Sequence, residues 1–429
     1  MNKRRIISGL LAIAVVASVV SIGVYLNRFS QAATPFVSTQ PETGTLTGNS
    51  SIVSDTTASG TKALKFGAVK NFYIVGSDIV DPDGKIMYPV GSNLGIRNAF
   101  DWKGVATGHA AEAAAWGWNI VRINYACTNR VTYNTRYRDG YAALLKQVDD
   151  VVREYTARKI VVMLECHDPY AQIWSTPEQQ NTVILQPGSA GINAGNQSDV
   201  GKTYRQQMEE YWRDTADRYK SNPYVWFNFF NEPFGNDNAA FITLNNHFYN
   251  LVRTRGAENI AVADIMNSGN DAAANGALHI YDPSMGPKLA AGKCNQMFGL
   301  HAYGWNNNLT TYTKLFDQMK LLKLSLIVGE FGYRYDVAPT DSTYMMNKQA
   351  ADAMFALGPK YGFGLIQWSG THGDNYSLKN DGSAFYGGGG PGLNLSPLGT
   401  AMWNAGHNKP VQRTFTGSLA DSLCSSARL

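Results

Sequence analysis

The sequence predicts an α/β chain built as an eight-stranded (β/α)8 barrel with a short β-hairpin at its amino-terminal end. Three observations carry the prediction. Apolar runs of strand length recur eight times, segments with helical spacing separate them, and polar residues gather at the carboxyl ends of the runs. A doubly wound open sheet has the same local pattern. The number of repeats and the placing of the polar residues favour the barrel.

The amino terminus begins Met1-Asn2-Lys3-Arg4-Arg5, continues as an uncharged apolar stretch from Ile6 to Leu26, and reaches the small residues Ser30-Gln31-Ala32-Ala33. This reads as a signal peptide over 1–32. The stretch is also about as long as the ~20 residues that cross a bilayer, so a membrane anchor is the alternative. In either case the basic residues stay inside and the body lies outside the cytoplasm, secreted or membrane-anchored. From 33 to 65 the chain is rich in Ser, Thr and Gly and poor in large apolar residues, as expected of a flexible linker.

The folded body is expected over 66–408, with 409–429 as a carboxyl-terminal tail. It opens with two short apolar stretches around Asp81-Pro82-Asp83-Gly84-Lys85, whose Pro, Asp and Gly mark a turn between strands. The strand-like runs then follow in order: Met87–Gly91, Asn119–Tyr125, Ile160–Cys166, Val225–Phe230, Ile260–Asp264, Met297–His301, Leu324–Gly329 and Phe363–Trp368. Between them lie patterns such as Leu144 to Val152, apolar at helical spacing with charges on the other face.

Polar residues mark the strand ends. Arg122 lies in the second run, His167 follows the third, Asn231-Glu232-Pro233 follows the fourth, His301 closes the sixth with Tyr303 two residues on, Glu330 follows the seventh and Trp368 closes the eighth. In a barrel these ends open onto one face, where active sites are built. Glu232 leaves a very apolar strand and is expected to be desolvated, which raises a carboxyl pKa and suits a general acid. Glu330 stands between Gly329 and Phe331-Gly332, where small residues allow close approach, and beside Arg122 and Tyr303 it would stay ionised as a nucleophile must. Each has a structural alternative: a helix-capping Glu232, and a Glu330 that merely pairs with Arg122. A retaining pair should stand ~5–5.5 Å apart and an inverting pair roughly 6.5–9.5 Å.

These segments resemble family 5 of the glycoside hydrolases, retaining (β/α)8 enzymes of clan A. The resemblance rests on Arg122, His167-Asp168, Asn231-Glu232-Pro233, His301-Ala302-Tyr303, Gly329-Glu330-Phe331-Gly332 and Trp368, in that order. It implies Glu232 as acid/base and Glu330 as nucleophile, Asn231 on the sugar 2-hydroxyl, and Arg122 and Tyr303 orienting Glu330. His167 and His301 would bond sugar hydroxyls or carboxylates, with Trp368 under the cleaved sugar. The segments around His167, His301 and Glu330 look most like bacterial endo-β-1,4-mannanases, whereas Pro233 after the acid is common in cellulases. The expected function is therefore an endo-β-1,4-glycanase acting on β-mannan, with a β-1,4-glucanase as the alternative, and a sugar-binding barrel without catalysis as the reading from another class. Asn270, Asp271, Trp305 and the segment from Trp174 to Gln197 are candidates for further sugar subsites.

The remaining features exclude other classes. A formal charge of +4, from 37 basic and 33 acidic residues spread along the chain, gives no case for nucleic acid, and a neutral polysaccharide fits better. With no H-x-H or H-E-x-x-H pair and no G-x-S-x-G elbow, neither a metal, a cofactor nor a serine nucleophile is expected. Gly387 to Gly392 formally fits G-x-G-x-x-G but contains Pro391 and follows no strand, so it reads as a loop. Cys127, Cys166, Cys294 and Cys424 allow up to two bridges with three pairings, or free buried thiols. The enzyme is expected to work as a monomer.

Overall fold

A computed structural model describes residues 50–54, 62–66, 71–96, 105–129, 135–167, 180–232, 238–265, 289–303, 309–334, 340–371 and 376–424. The predicted signal or anchor segment lies outside these residues, as do Asp168, Pro233, Asn270, Asp271, Trp174 and Trp305. None of the described helices is long and apolar enough to cross a membrane.

Contacts divide the chain into Met1–Ala68 and Val69–Leu429. In the first unit, β1 (Ser50–Ser54) pairs antiparallel with β2 (Lys62–Phe66). All of this hairpin but Phe66 falls within the segment read as linker. The first strand carries the β-formers Ile52 and Val53, which a composition average over 33–65 dilutes, and the second ends on Phe66, just past the expected linker.

The second unit holds the barrel. Its strands are β5 (Val90–Gly95), β6 (Ile120–Tyr125), β7 (Val161–Cys166), β8 (Val225–Asn228), β9 (Ala261–Asp264), β10 (Gln296–Ala302), β11 (Leu326–Phe331) and β12 (Gly364–Gln367). They pair in parallel in sequence order, and β12 closes onto β5. The first strand lies later than the predicted Met87–Gly91. Its polar Ser92 and Asn93, bonded to Gln367 and the Gly329 carbonyl, gave no apolar signal.

Helices cover the outside of the barrel. Between β6 and β7 runs α1 (Tyr141–Thr156), which has no side-chain cap at its amino end but buries Leu144, Leu145, Val148, Val151, Val152 and Tyr155. At roughly 1.5–3 kcal/mol for each large apolar side chain, that stripe outweighs the ~1 kcal/mol a cap would add. The next helix, α2 (Tyr204–Tyr219), starts with a Thr203–Gln206 capping box.

The other end of the barrel is closed by a hairpin of β3 (Tyr73–Val75) and β4 (Asp78–Val80). Phe72, Ile74, Ile79 and Met87 pack on the inward residues Ile120, Val161, Met163, Trp226, Val262, Met297, Ile327 and Ile366. The reversal between β3 and β4 is at Gly76, not at Asp81–Lys85 as expected. The latter turn exists, with Asp81 Oδ1 accepting from the amides of Asp83 (2.9 Å) and Lys85 (2.8 Å), but it follows the hairpin and brings Ile86 back to Val80.

Two disulfides settle the cysteine pairing. Cys127–Cys166 joins the ends of β6 and β7, and Cys294–Cys424 ties the tail to the segment before β10. The tail also bridges Lys85 through Thr414 and buries Cys424 beside Tyr73 and Val80, so it is part of the body rather than a loose end.

Candidate active site

Along each strand, alternate residues face the barrel interior. Near the hairpin those residues are apolar, and toward the carboxyl end they turn polar. On β6 Ile120 gives way to Arg122 and Asn124, on β7 Met163 to Glu165, on β8 Trp226 to Asn228, on β9 Val262 to Asp264, and on β10 Met297 to His301.

On β11 the alternation breaks. Leu300 pairs with Val328 but His301 pairs with Glu330, so Gly329 is an extra residue in the ladder. Without this bulge, alternation from the inward Ile327 would turn Phe331 inward and Glu330 toward the helices. A Cβ at Gly329 would sit 3.2 Å from His301 Nε2, tight enough to force movement of that ring. Glu330 thus lies within the strand rather than just after it, and faces the bowl because of a bulge.

Arg122 is fully buried at the centre. Its Nη1 donates to Glu330 Oε1 (2.7 Å) and Asn93 Oδ1 (2.9 Å), its Nη2 to Asn231 Oδ1 (2.8 Å) and Asp264 Oδ2 (3.1 Å), and its Nε to Asn228 Oδ1 (2.8 Å). Burial alone would disfavour this charge, yet Glu165, Asp264 and Glu330 hold the guanidinium firmly protonated. The other Glu330 oxygen accepts from the Tyr303 hydroxyl at 3.0 Å. Arg122 and Tyr303 therefore each hold one oxygen of Glu330.

The His301 ring lies between the acids. Its Nδ1 donates to Glu232 Oε1 (2.8 Å) and is 3.5 Å from Glu330 Oε2, while Nε2 is 3.3 Å from Asp264 Oδ2. Burial by itself would strip this ring of its second proton, but the charges of Glu330 and Asp264 and the bond to Glu232 push its pKa up to about 10. Asp264 is buried too, which works against its charge, yet His301, Arg122 and Asn228 hold it down at about 2.

The two glutamates differ in exposure, and Glu330 is the more deeply buried. The Glu330 side chain is 5% exposed and that of Glu232 is 27% exposed. Glu232 is lifted past the end of its apolar strand by a left-handed backbone (φ +42°), whereas Glu330 sits inside the barrel. Burial pushes the Glu330 carboxyl above its ordinary value, Glu232 adds to that, and His301 and Arg122 oppose it.

One oxygen of Glu232, one of Glu330 and a ring nitrogen of His301 all lie within 4.8 Å of one another. The two acids thus bring one oxygen each to within 4.8 Å across the mouth. A cation would fit among three such ligands, but a protonated His301 offers them a hydrogen-bond donor instead of a lone pair. Glu258, Cys294 and Cys424 also cluster, with both sulfurs spent in the disulfide.

His167 and Trp368 form a second group, their rings stacked at 5.3 Å and 18°. Glu165 joins them to the first. It is fully buried, accepts from Asn124 Nδ2 (2.6 Å) and His167 Nδ1 (2.9 Å), and lies 3.6 Å from Arg122 Nη1. Burial lowers the proton affinity of His167, but Glu165 more than restores it. All eight residues singled out in the sequence thus meet at one mouth. Asn93, Asn124, Glu165, Asn228 and Asp264 were missed. Their signal was a polar side chain at an inward position of an otherwise apolar strand.

Comparison with known proteins agrees with this layout. Two relatives are each 25% identical to the chain, and both are named mannan endo-1,4-beta-mannosidase. The one from Streptomyces lividans aligns over 281 residues, 64% of this chain and 60% of that protein. The one from Cellvibrio japonicus (strain Ueda107) aligns over 325 residues, 74% and 63% respectively. The match therefore spans less than two thirds of either relative. Among solved structures, the catalytic domain of a mannanase from Streptomyces sp. SirexAA-E superposes with a TM-score of 0.55 at 21% identity, covering 80% of this chain and 91% of that one. An endoglucanase catalytic domain from Thermobifida fusca gives 0.57 at 15% identity, covering 79% and 97%. At these identities the structures establish a shared barrel fold. The family model Cellulase (glycosyl hydrolase family 5) matches residues 85–374, the stretch that carries every residue of the mouth, and the chain belongs to that family.

Proposed function

We propose that the protein is an exported retaining endo-β-1,4-glycanase that cleaves β-mannan. The observation that carries the chemistry is the pair Glu232 and Glu330 within 4.8 Å, with Glu330 held by Arg122 and Tyr303 and Glu232 held by His301. In the first step an oxygen of Glu330 forms a bond to the anomeric carbon. The bond from that carbon to the leaving oxygen breaks, the electron pair goes to oxygen, and Glu232 supplies its proton. In the second step water attacks the same carbon, Glu232 takes the water proton and the bond to Glu330 breaks. In this reading Asn231, whose Oδ1 accepts from Arg122, bonds the 2-hydroxyl, an interaction that strengthens as charge develops. The stacked His167 and Trp368 form an aromatic wall for the sugar ring.

Support for mannan comes from the names of the relatives and from the mannanase among the structural neighbours. Pro233 and the endoglucanase neighbour support a β-1,4-glucan as the second reading. Export, cleavage or anchoring by the stretch from Ile6 to Leu26, and action as a monomer complete the proposal. The test is reducing-sugar release from β-mannan, carboxymethylcellulose and xylan, with and without chelator. Mannan is expected to be preferred and chelator to have no effect. Release from carboxymethylcellulose alone would move the assignment to glucan, and no release from any substrate would leave only a sugar-binding barrel.

A further inference from the structure

Asp264 has no place in the two-step scheme, yet it is one of the most connected side chains of the mouth. It ends β9 and is 1% exposed. Its Oδ1 accepts from Asn228 Nδ2 at 3.0 Å. Its Oδ2 accepts from Arg122 Nη2 (3.1 Å) and from the backbone amide of Glu232 (3.4 Å), and faces His301 Nε2 at 3.3 Å. The neighbouring strand is shaped around it, for a Cβ at Gly299 would fall 2.3 Å from Asp264 Oδ1.

Two of these contacts converge on Glu232. One pins the amide of a residue whose backbone is left-handed, a conformation costly for a side chain other than glycine. The other faces the far side of the His301 ring, whose near side holds the Glu232 carboxyl. We propose that Asp264 is a positioning residue for this reaction, fixing the acid/base Glu232 both through its amide and through His301. The inference rests on the retaining reading above, but not on the choice between mannan and glucan.

The groups that face His301 are Glu232 beyond β8, Asp264 on β9 and Glu330 on β11, with Tyr303 and Arg122 held against Glu330 and Arg122 also against Asp264. Removing the Asp264 charge leaves two carboxylates and one guanidinium around the ring. A neutral ring can then turn its unprotonated nitrogen to Glu232, and the carboxyl loses its fixed donor.

Substrates with different leaving groups test this. The full chain carrying Asp264→Asn should lose about 10²-fold in kcat/KM on polysaccharide, whose leaving oxygen needs the acid. The loss should be at least ~10-fold smaller on 2,4-dinitrophenyl β-mannobioside or β-cellobioside, whose leaving group departs without a proton. Glu232→Ala must show the same split. If it does not, Glu232 is not the acid and the reading beneath the inference fails. If Glu232→Ala shows the split and Asp264→Asn loses equally on both substrates, Asp264 is merely structural and the proposal is overturned. Nitrogen-15 NMR of His301 in the unsubstituted enzyme is a second check that needs no folded variant. Both ring nitrogens are expected to be protonated at pH 8, and a neutral ring there would overturn the proposal.

Discussion

The two ends of the barrel are built from the same strands, yet they hold together in different ways. At the hairpin end Phe72, Ile74 and Ile79 meet Trp226, Met163 and Ile327, an apolar plug stabilised by area removed from water. At the mouth, two to four residues further along the strands, Arg122, Asp264, His301 and Glu330 are as thoroughly buried but are stabilised by one another. Such a buried charge cluster adds little net stability, because desolvation offsets the attraction. What it provides is a fixed geometry for two carboxylates. The plug should therefore govern folding and the mouth should govern chemistry, and substitutions at each end can separate the two.

The largest expected effect is at the mouth. Glu330→Ala should lower turnover by ~10⁴-fold or more, as loss of a nucleophile does. The fold should survive, because Arg122 keeps Asp264, Asn231, Asn93 and Asn228 as partners. Circular dichroism beside the activity assay checks both parts, and near-normal turnover would mean that another group is the nucleophile. At the plug the reverse holds. Trp226→Ala should cost about 3–5 kcal/mol in denaturant unfolding, with kcat/KM unchanged at temperatures where the variant is folded.

A smaller effect of the same sign is expected from Cys294→Ser with Cys424→Ser. Opening that loop should cost about 2–4 kcal/mol and leave activity per folded molecule intact, since the bridge lies among Tyr73 and Val80 at the plug. The smallest effect concerns pH. A nucleophile must be ionised, and Glu330 is shifted upward by burial and by Glu232, so activity should fall as the medium is acidified through a value above the ordinary 4.5. A profile of kcat/KM against pH whose acid limb lies at or below 4.5 would contradict the buried, Glu232-coupled placement of Glu330.

The same contrast explains how much was legible in the sequence. The plug and the outer layer are written in apolar periodicity, so seven of the eight barrel strands lay within two residues of their predicted bounds. The exception, β5, carries Ser92 and Asn93, which belong to the mouth. Seven of the eight site residues could be named because they stand at or just past the ends of apolar runs, and Arg122 because its charge interrupts one. Their partners could not. Asp264 reads as the last residue of a strand and Glu165 as a polar interruption, and only the closed barrel brings either to Arg122. The orientation of Glu330 was likewise hidden, because alternation counted along β11 turns it outward until the bulge at Gly329 is seen. The cysteine pairs depended on which strands become neighbours, and the hairpin turn on Gly76, a weaker sequence signal than Asp81 to Lys85.

The most direct test of the retaining reading is to trap its intermediate. Incubation with a 2-deoxy-2-fluoro glycosyl fluoride of the accepted sugar, followed by peptide mass mapping, should place one covalent sugar on Glu330. A sugar on any other residue, or no adduct together with a product of inverted anomeric configuration, would contradict the account.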